Sequence, residues 1–356
     1  MVTPVLICDD SSMARKQMAR ALPAEWDISL SFAADGHEAL AAIQRGEAEV
    51  MFLDLTMPGM SGYEVLQEIR RQDLPCVVLV VSGDIQPKAR QWVFEHGALE
   101  FLAKPISRDQ VRQTLLRFGL MTESSIKDVP QHNDSNIFFA DEPVFDEVIR
   151  EVVNIAMGQA ASKLSTLLDS FIALPVPTVF HCRYQQLPRL LACARHARLS
   201  AVSQGFCGRG ISGEAILVME STALTAVSKQ IGRNAQKNGN SQDPQVSGTA
   251  AMFDTLIELC GLLAGSCLNG ISEQLDLQFN HGYPAVLGHQ QLLPRLLGID
   301  NKPADTRTDV MVIEITYRLL GESACHLILA FTDDSMAALH KRVSLLIREE
   351  STSDVS

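Results

Sequence analysis

Through the first 120 residues, short β-branched apolar runs alternate with stretches of helical period. PVLICDD, DISLSFA, EVMFLDL, PCVVLVVS and ALEFLAKP read as five strands. MARKQMARAL, HEALAAIQRG, YEVLQEIRRQ, PKARQWVFEHG and RDQVRQTLLRFG follow them in turn as five helices. Strands that are apolar on both faces are covered on both faces, and regular strand–helix alternation implies parallel pairing with right-handed crossovers. The pattern predicts a doubly wound α/β domain over residues 1–120 with a five-stranded parallel sheet. In such sheets chemistry collects at the carboxyl ends of the strands.

The period is lost from 121 to 142, MTESSIKDVPQHNDSNIFFADE, where Ser, Asp, Asn and Pro accumulate. That is linker composition, with a reach of roughly 25 Å as a flexible coil. A second domain is predicted over 143–350, and it opens on FDEVIREVVNIAMGQA, residues 145–160. Its apolar positions Phe145, Val148, Ile149, Val152, Ala156 and Ala160 share one side of a helix. Glu147, Glu151, Asn154 and Gly158 fall within an arc of about 60° on the other. Glutamates suit a solvated face, but Asn and Gly are poor interior helix formers, Gly by about 1 kcal/mol relative to Ala.

The stripe recurs. A shift of 107 residues brings the helix onto MFDTLIELCGLLAGSCLNGIS, aligning the four positions with Asp254, Glu258, Gly261 and Gly265. EAILVMESTALTAVSKQIG ends the first copy and CHLILAFTDDSMAALHKRVSLL the second. Two helix–strands–helix copies, at about 143–232 and 247–348, predict a pseudo-twofold α+β domain. Its long helices would lie side by side with both polar stripes outward. Asn269 aligns with Ser162 and reads as a structural surface residue.

Composition narrows the function. A net charge of −12 over 356 residues and the lack of a basic recognition helix argue against a nucleic-acid or anionic-membrane partner. No uninterrupted apolar stretch approaches the roughly 18 residues of a membrane span. The opening MVTPVLICDDSS lacks the basic and apolar regions of a signal peptide, and the eight cysteines mostly sit in apolar runs. Buried reduced thiols, and hence a cytoplasmic location, are the expectation. Cys182, Cys193, His196 and Cys207 contain no CxxC pair and read as core residues rather than a zinc site. GRGISG, residues 208–213, fits a dinucleotide fingerprint in letters alone; it joins two strand-like runs and reads as a hairpin turn.

The strand ends of the first domain carry the chemistry. Asp9 and Asp10 close the first strand, Asp54 the third, Ser82 the fourth and Lys104 the fifth. Three converging carboxylates repel one another unless a hard cation sits among them, and Mg²⁺ with oxygen ligands meets that need. A carboxylate beside Mg²⁺ and an ammonium is a suitable phosphoryl acceptor. CDDS, DLTMPGMSGYEVL, VVSGD and EFLAKP resemble, in order, the motifs of CheY-type receiver domains of two-component response regulators. The resemblance implies phosphorylation of Asp54 by a sensor histidine kinase and Mg²⁺ on Asp9, Asp10, Asp54 and the Thr56 carbonyl. It also implies that Ser82 and Phe101 are a switch pair, and that Lys104 precedes a proline, Pro105, often cis in that family.

The stripe E-x-x-N with an acid four positions ahead resembles the active-site helix of the CheC/CheX/FliY phosphatases, which act on CheY-like receivers. By that resemblance Asn154 orients the attacking water, Glu151 engages a receiver lysine, and Glu147 and Gly158 help dock the receiver. The substrate would be a separate CheY-like receiver or the chain's own. In the second copy Gly261 has no side chain to orient water, leaving Asp254 and Glu258 as a candidate docking surface. The competing expectation is a non-catalytic docking module for chemotaxis adaptors or flagellar-switch proteins.

Overall fold

A computed structural model describes residues 2–121, 145–195, 198–237, 249–299, 309–319 and 323–352. The expected linker therefore lies outside the described residues except for Met121, as do His196 and most of the joint between the two copies. The chain divides into two compact units, Met1–Glu151 and Val152–Ser356.

In the first unit the elements alternate: β1 Thr3–Cys8, α1 Ser12–Ala21, β2 Ile28–Ala33, α2 Gly36–Gln44, β3 Val50–Leu53, α3 Gly62–Gln72, β4 Val77–Ser82, α4 Pro87–Glu95, β5 Glu100–Ala103 and α5 Arg108–Arg117. Local chemistry sets most helix starts. Ser11, Asp35, Ser61 and Ser107 each accept a backbone N–H of the first turn, and Ser61 with Glu64 forms a capping box. The strands pair in parallel in the order β2-β1-β3-β4-β5. Alternate residues feed two cores. Val5, Ile7, Phe52, Leu79 and Val111 pack on one face of the sheet, and Leu6, Cys8, Met51, Val80 and Val65 on the other. Both cores are complete between Val5 and Met121.

The long helix α6, Phe145–Leu168, carries its first two turns in the first unit and the remainder in the second. After it come β6 Thr178–Arg183, α7 Leu187–Leu190, β7 Leu199–Gly208, β8 Ile211–Glu220 and α8 Ser221–Lys237. Then follow α9 Thr249–Gln274, β9 Asn280–His281, β10 Ala285–Gln291, α10 Leu293–Leu296, β11 Asp309–Arg318, β12 Ala324–Thr332 and α11 Met336–Thr352. GRGISG closes a β7–β8 hairpin: Arg209 and Gly210 both have positive φ, 48° and 81°, as a two-residue turn of the primed type requires.

The principal sheet order of the second unit is β10-β7-β8-β12-β11-β6, with neighbours antiparallel. Either side of the central β8–β12 pair the halves match, except that each lends its edge strand to the other: β6 flanks β11, and β10 flanks β7. One face of this sheet packs against the short helices α7 and α10 through Leu187, Leu191, Leu293 and Leu296. On the other, α9 lies across β7 and β8. By length and composition α9 could cross a membrane, but Leu256, Leu259, Leu263 and Leu268 are buried within the fold.

Helices α6 and α9 run antiparallel in contact. Gln274 donates to the Val152 carbonyl at 2.9 Å, and Lys163 Nζ to Ser266 Oγ at 2.9 Å. Between them Gly270 lies so near α6 that a Cβ there would come within 2.8 Å of Ala156 Cβ and 2.9 Å of its Cα. The polar stripes differ from expectation. On α9, Asp254, Glu258 and Gly261 face outward, whereas on α6 Glu151 and Asn154 are buried, at 4% and 7% exposure. Gly270→Val is therefore expected to cost about 1–3 kcal/mol, read as a lower urea midpoint, because backbone as well as side chain must give way.

Candidate functional site

The sheet of the first unit brings Asp9, Asp10, Asp54, Ser82 and Lys104 to the carboxyl ends of β1, β3, β4 and β5. Backbone amides hold two of the carboxylates. Ser11 N–H donates to Asp9 Oδ1 at 2.9 Å, and Thr56 N–H donates to Asp54 Oδ2 at 2.8 Å. Lys104, the residue after β5, is buried and reaches across the edge. Its Nζ lies 2.7 Å from Asp9 Oδ2, 3.1 Å from Asp54 Oδ1 and 2.9 Å from Glu151 Oε1 in the first turns of α6. Glu147, one turn earlier, accepts the Ser12 backbone N–H at 2.5 Å. The Lys104–Pro105 peptide bond is cis.

Burial dominates the ionisation of this group. It pushes the Asp54 carboxyl up, against the pull of Lys104 and with the repulsion of Asp9 added. Burial likewise raises Glu151, again opposed by Lys104. For Lys104 burial acts in the lowering direction, yet Asp54, Asp9 and Glu151 together outweigh it and hold the ammonium well above its ordinary range. Asp10 is raised to about 7 by burial, then by the charges of Asp9 and Asp54. The site thus holds more carboxylates than its one ammonium can neutralise.

Ligand-capable oxygens of Asp9, Asp10 and Asp54 lie within 4.8 Å of one another, and no other metal-ligating group of three or more occurs among the described residues. Asp54 Oδ1 is buried without a hydrogen bond: the 3.1 Å approach of Lys104 is an ion-pair contact, not an aligned donor. An all-oxygen donor set, excess negative charge and an orphaned carboxylate oxygen fit a hard divalent cation such as Mg²⁺. Among the expected site residues, Thr56 contributes the N–H just described. Ser82 is fully buried, with its Oγ accepting the Asp84 N–H at 3.1 Å, and Phe101 is buried on β5. Asn154 and Gly158 lie further along α6 in the second unit. Asp254 and Glu258 stand exposed on α9.

Two features escaped the sequence reading. Asp84, buried, accepts from Tyr63 Oη and Gln86 Nε2, both at 2.9 Å, and ties the loop after β4 to α3. A lone acid after VVSG gave no signal of a partner 21 residues upstream. The other is a second trace of the internal repeat: QQLPRLL at 185–191 and QQLLPRLL at 290–297, which build α7 and α10 at equivalent places. That trace was legible as near-identical letters. The cysteines considered for zinc are free thiols, Cys193 buried and Cys207 exposed.

Residues 5–116 match the response regulator receiver domain. The chain is 28% identical over 200 residues to an uncharacterized response regulatory protein of Shewanella oneidensis, covering 52% of this chain and 83% of that protein. It is 28% identical over 200 residues to the transcriptional regulatory protein TcrA of Mycobacterium tuberculosis, covering 56% and 74%. Among solved structures, Thermotoga maritima FliY aligns at 19% identity with a TM-score of 0.43, covering 58% of this chain and 99% of that one. The first unit contains a response regulator receiver domain, the class of domain phosphorylated on an aspartate.

With its carboxyl raised to about 7, Asp10 takes up a proton as the pH falls through neutrality, and only the ionised form binds a cation well. Mg²⁺ affinity is expected to fall at least several-fold between pH 8 and pH 6, measured by calorimetry. Asp10→Asn removes a repulsive, half-buried charge, so at pH 8 without metal it is expected to raise the melting temperature while weakening Mg²⁺ binding.

Proposed function

We propose that the chain is a response regulator whose output domain is a CheC-like phosphatase of pseudo-twofold build, hydrolysing the aspartyl phosphate of a CheY-like receiver, a separate one or its own at Asp54. The observation that carries this reading is the buried ion pair between Lys104 Nζ and Glu151 Oε1, at 2.9 Å. The lysine that would balance a phosphoryl group on Asp54 is gripped by the helix that bears Asn154 one turn further on. Nothing in helix stability favours an asparagine there, and its burial removes the solvated-face explanation.

The chemistry required is positioning. Hydrolysis of an aspartyl phosphate needs a water in line with the phosphorus; its oxygen bonds to phosphorus as the bond to the Asp54 oxygen breaks, and the carboxylate leaves with the electron pair. A carboxamide accepts one hydrogen bond and donates another without ionising, which suits Asn154 to hold that water. Glu151 fixes the register through Lys104, so it is a positioning residue. Asp9, Asp10 and Asp54, with the Thr56 carbonyl, would hold Mg²⁺, which supplies neutralisation of the phosphoryl oxygens when bound. Ser82 would donate its hydroxyl to the phosphoryl group. A sensor histidine kinase is the phosphodonor this scheme needs.

Asn154→Ala is expected to slow phosphate release from the full-length phosphorylated protein by about 10- to 100-fold, with an unchanged rate of phosphorylation from a small phosphodonor. Release that is first order and independent of dilution would assign the chain's own receiver as substrate, and a rate that rises with protein concentration would assign one on another chain. Unchanged release in Asn154→Ala would remove the enzymatic reading altogether.

A further inference from the structure

Asp54 is the acceptor that a phosphodonor must reach, yet it is only 1% exposed, with Asp9 and Lys104 buried beside it. The opening turns of α6 hold on at two points of the same edge. Glu147 accepts the Ser12 N–H at the start of α1, at 2.5 Å, and Glu151 meets Lys104 just after β5, at 2.9 Å. In the sheet order β2-β1-β3-β4-β5 those points lie on either side of β3, whose carboxyl end leads into Asp54. The opening of α6 therefore bridges the acceptor. The bridge is not fully satisfied. Asp54 Oδ1 and Ser12 Oγ are both buried without a hydrogen-bond partner among the described residues. Polar atoms deprived of water and given no partner offset part of what the two anchors contribute, so the closed arrangement is one the protein can leave.

We infer that the opening turns of α6 are a lid over Asp54 that must lift before a phosphoryl group is delivered, so that charging and discharging of Asp54 occur in two different arrangements of α6. The discharging half rests on the reading of Asn154 as a hydrolytic residue acting on the chain's own receiver. The lid itself rests on the two anchors and the burial. Chemistry makes the two steps exclusive. In transfer from a donor with a phosphorus–nitrogen bond, the Asp54 oxygen bonds to phosphorus as the P–N bond breaks, and the nitrogen leaves with the electron pair and takes up a proton. In-line displacement puts that nitrogen opposite the Asp54 oxygen. Hydrolysis puts its water at the same apical position, so donor nitrogen and water compete for one place. Lifting α6 withdraws Asn154 as well, because both glutamates and the asparagine lie on one continuous helix. A receiver open to its donor is spared hydrolysis, and closure returns the carboxamide once the donor has left.

The test uses full-length protein, Mg²⁺ and phosphoramidate, with the rate taken as donor consumed in the first turnover. Hydrolysis of the product does not enter that rate, so it is indifferent to whether Asn154 is catalytic. Glu147→Ala removes the anchor on Ser12 and is expected to raise the rate about tenfold by enlarging the open fraction. Alanine at this partly exposed helix position leaves the fold intact. Glu147→Gln removes the same charge but keeps an oxygen to accept the amide, so its increase should be several-fold smaller. An increase as large in Glu147→Gln as in Glu147→Ala would reduce the effect to charge acting on an anionic donor and would overturn the lid. No increase in either variant would overturn it too. Phosphate release by Asn154→Ala, measured separately, decides the phosphatase reading, so the two can fail independently.

Discussion

An ammonium group taken out of water is tolerated only where anions replace its hydration, and Lys104 is almost wholly buried. Its three carboxylate partners come from the ends of β1 and β3 and from the opening turns of α6, so one cation ties together segments far apart in the sequence. Removing any one partner would leave charge unbalanced in a region of low dielectric. The converse also holds. With Asp10 nearby, the carboxylates outnumber the lysine, and this surplus keeps the site receptive to a divalent cation and poised for a change in charge on Asp54. Any group added to Asp54 must be accommodated by the contacts of Lys104, including the one to Glu151.

How legible this was differs between the halves. In the receiver each strand is a short apolar run, most helices have a capping residue, and each polar site residue stands directly at a strand end, so local rules and global fold agree. The second unit is built from contacts distant in sequence. Its repeat showed in the helix stripe, while the shorter QQLPRLL and QQLLPRLL copies passed unnoticed. The burial of Glu151 and Asn154 could not be read from helical period, because a polar stripe looks the same whether water or a buried lysine faces it. Exposure is a tertiary property, and α6 and α9 carry closely similar patterns to opposite outcomes.

That divergence is informative about how the two halves share labour. Helix α9 keeps its acids and small residues but has Gly261 where α6 has Asn154, while its apolar side remains packed against β7, β8 and α6. The packing of the long helix is carried by one face, so the other can change without disturbing it.

The exchanged edge strands of the second unit carry a consequence for how the protein is made. Among the described residues, strand β6, near residue 180, pairs only with β11, beyond residue 308. Pairing over such a separation closes a long loop and is slow. During synthesis the receiver, complete by Met121, can fold as it leaves the ribosome, whereas β6 waits unpaired until most of the chain has been translated. The receiver is thus assembled before the second unit, and β6, with Val179 and Phe180 along it, is an unpaired strand that depends on protection in the interval.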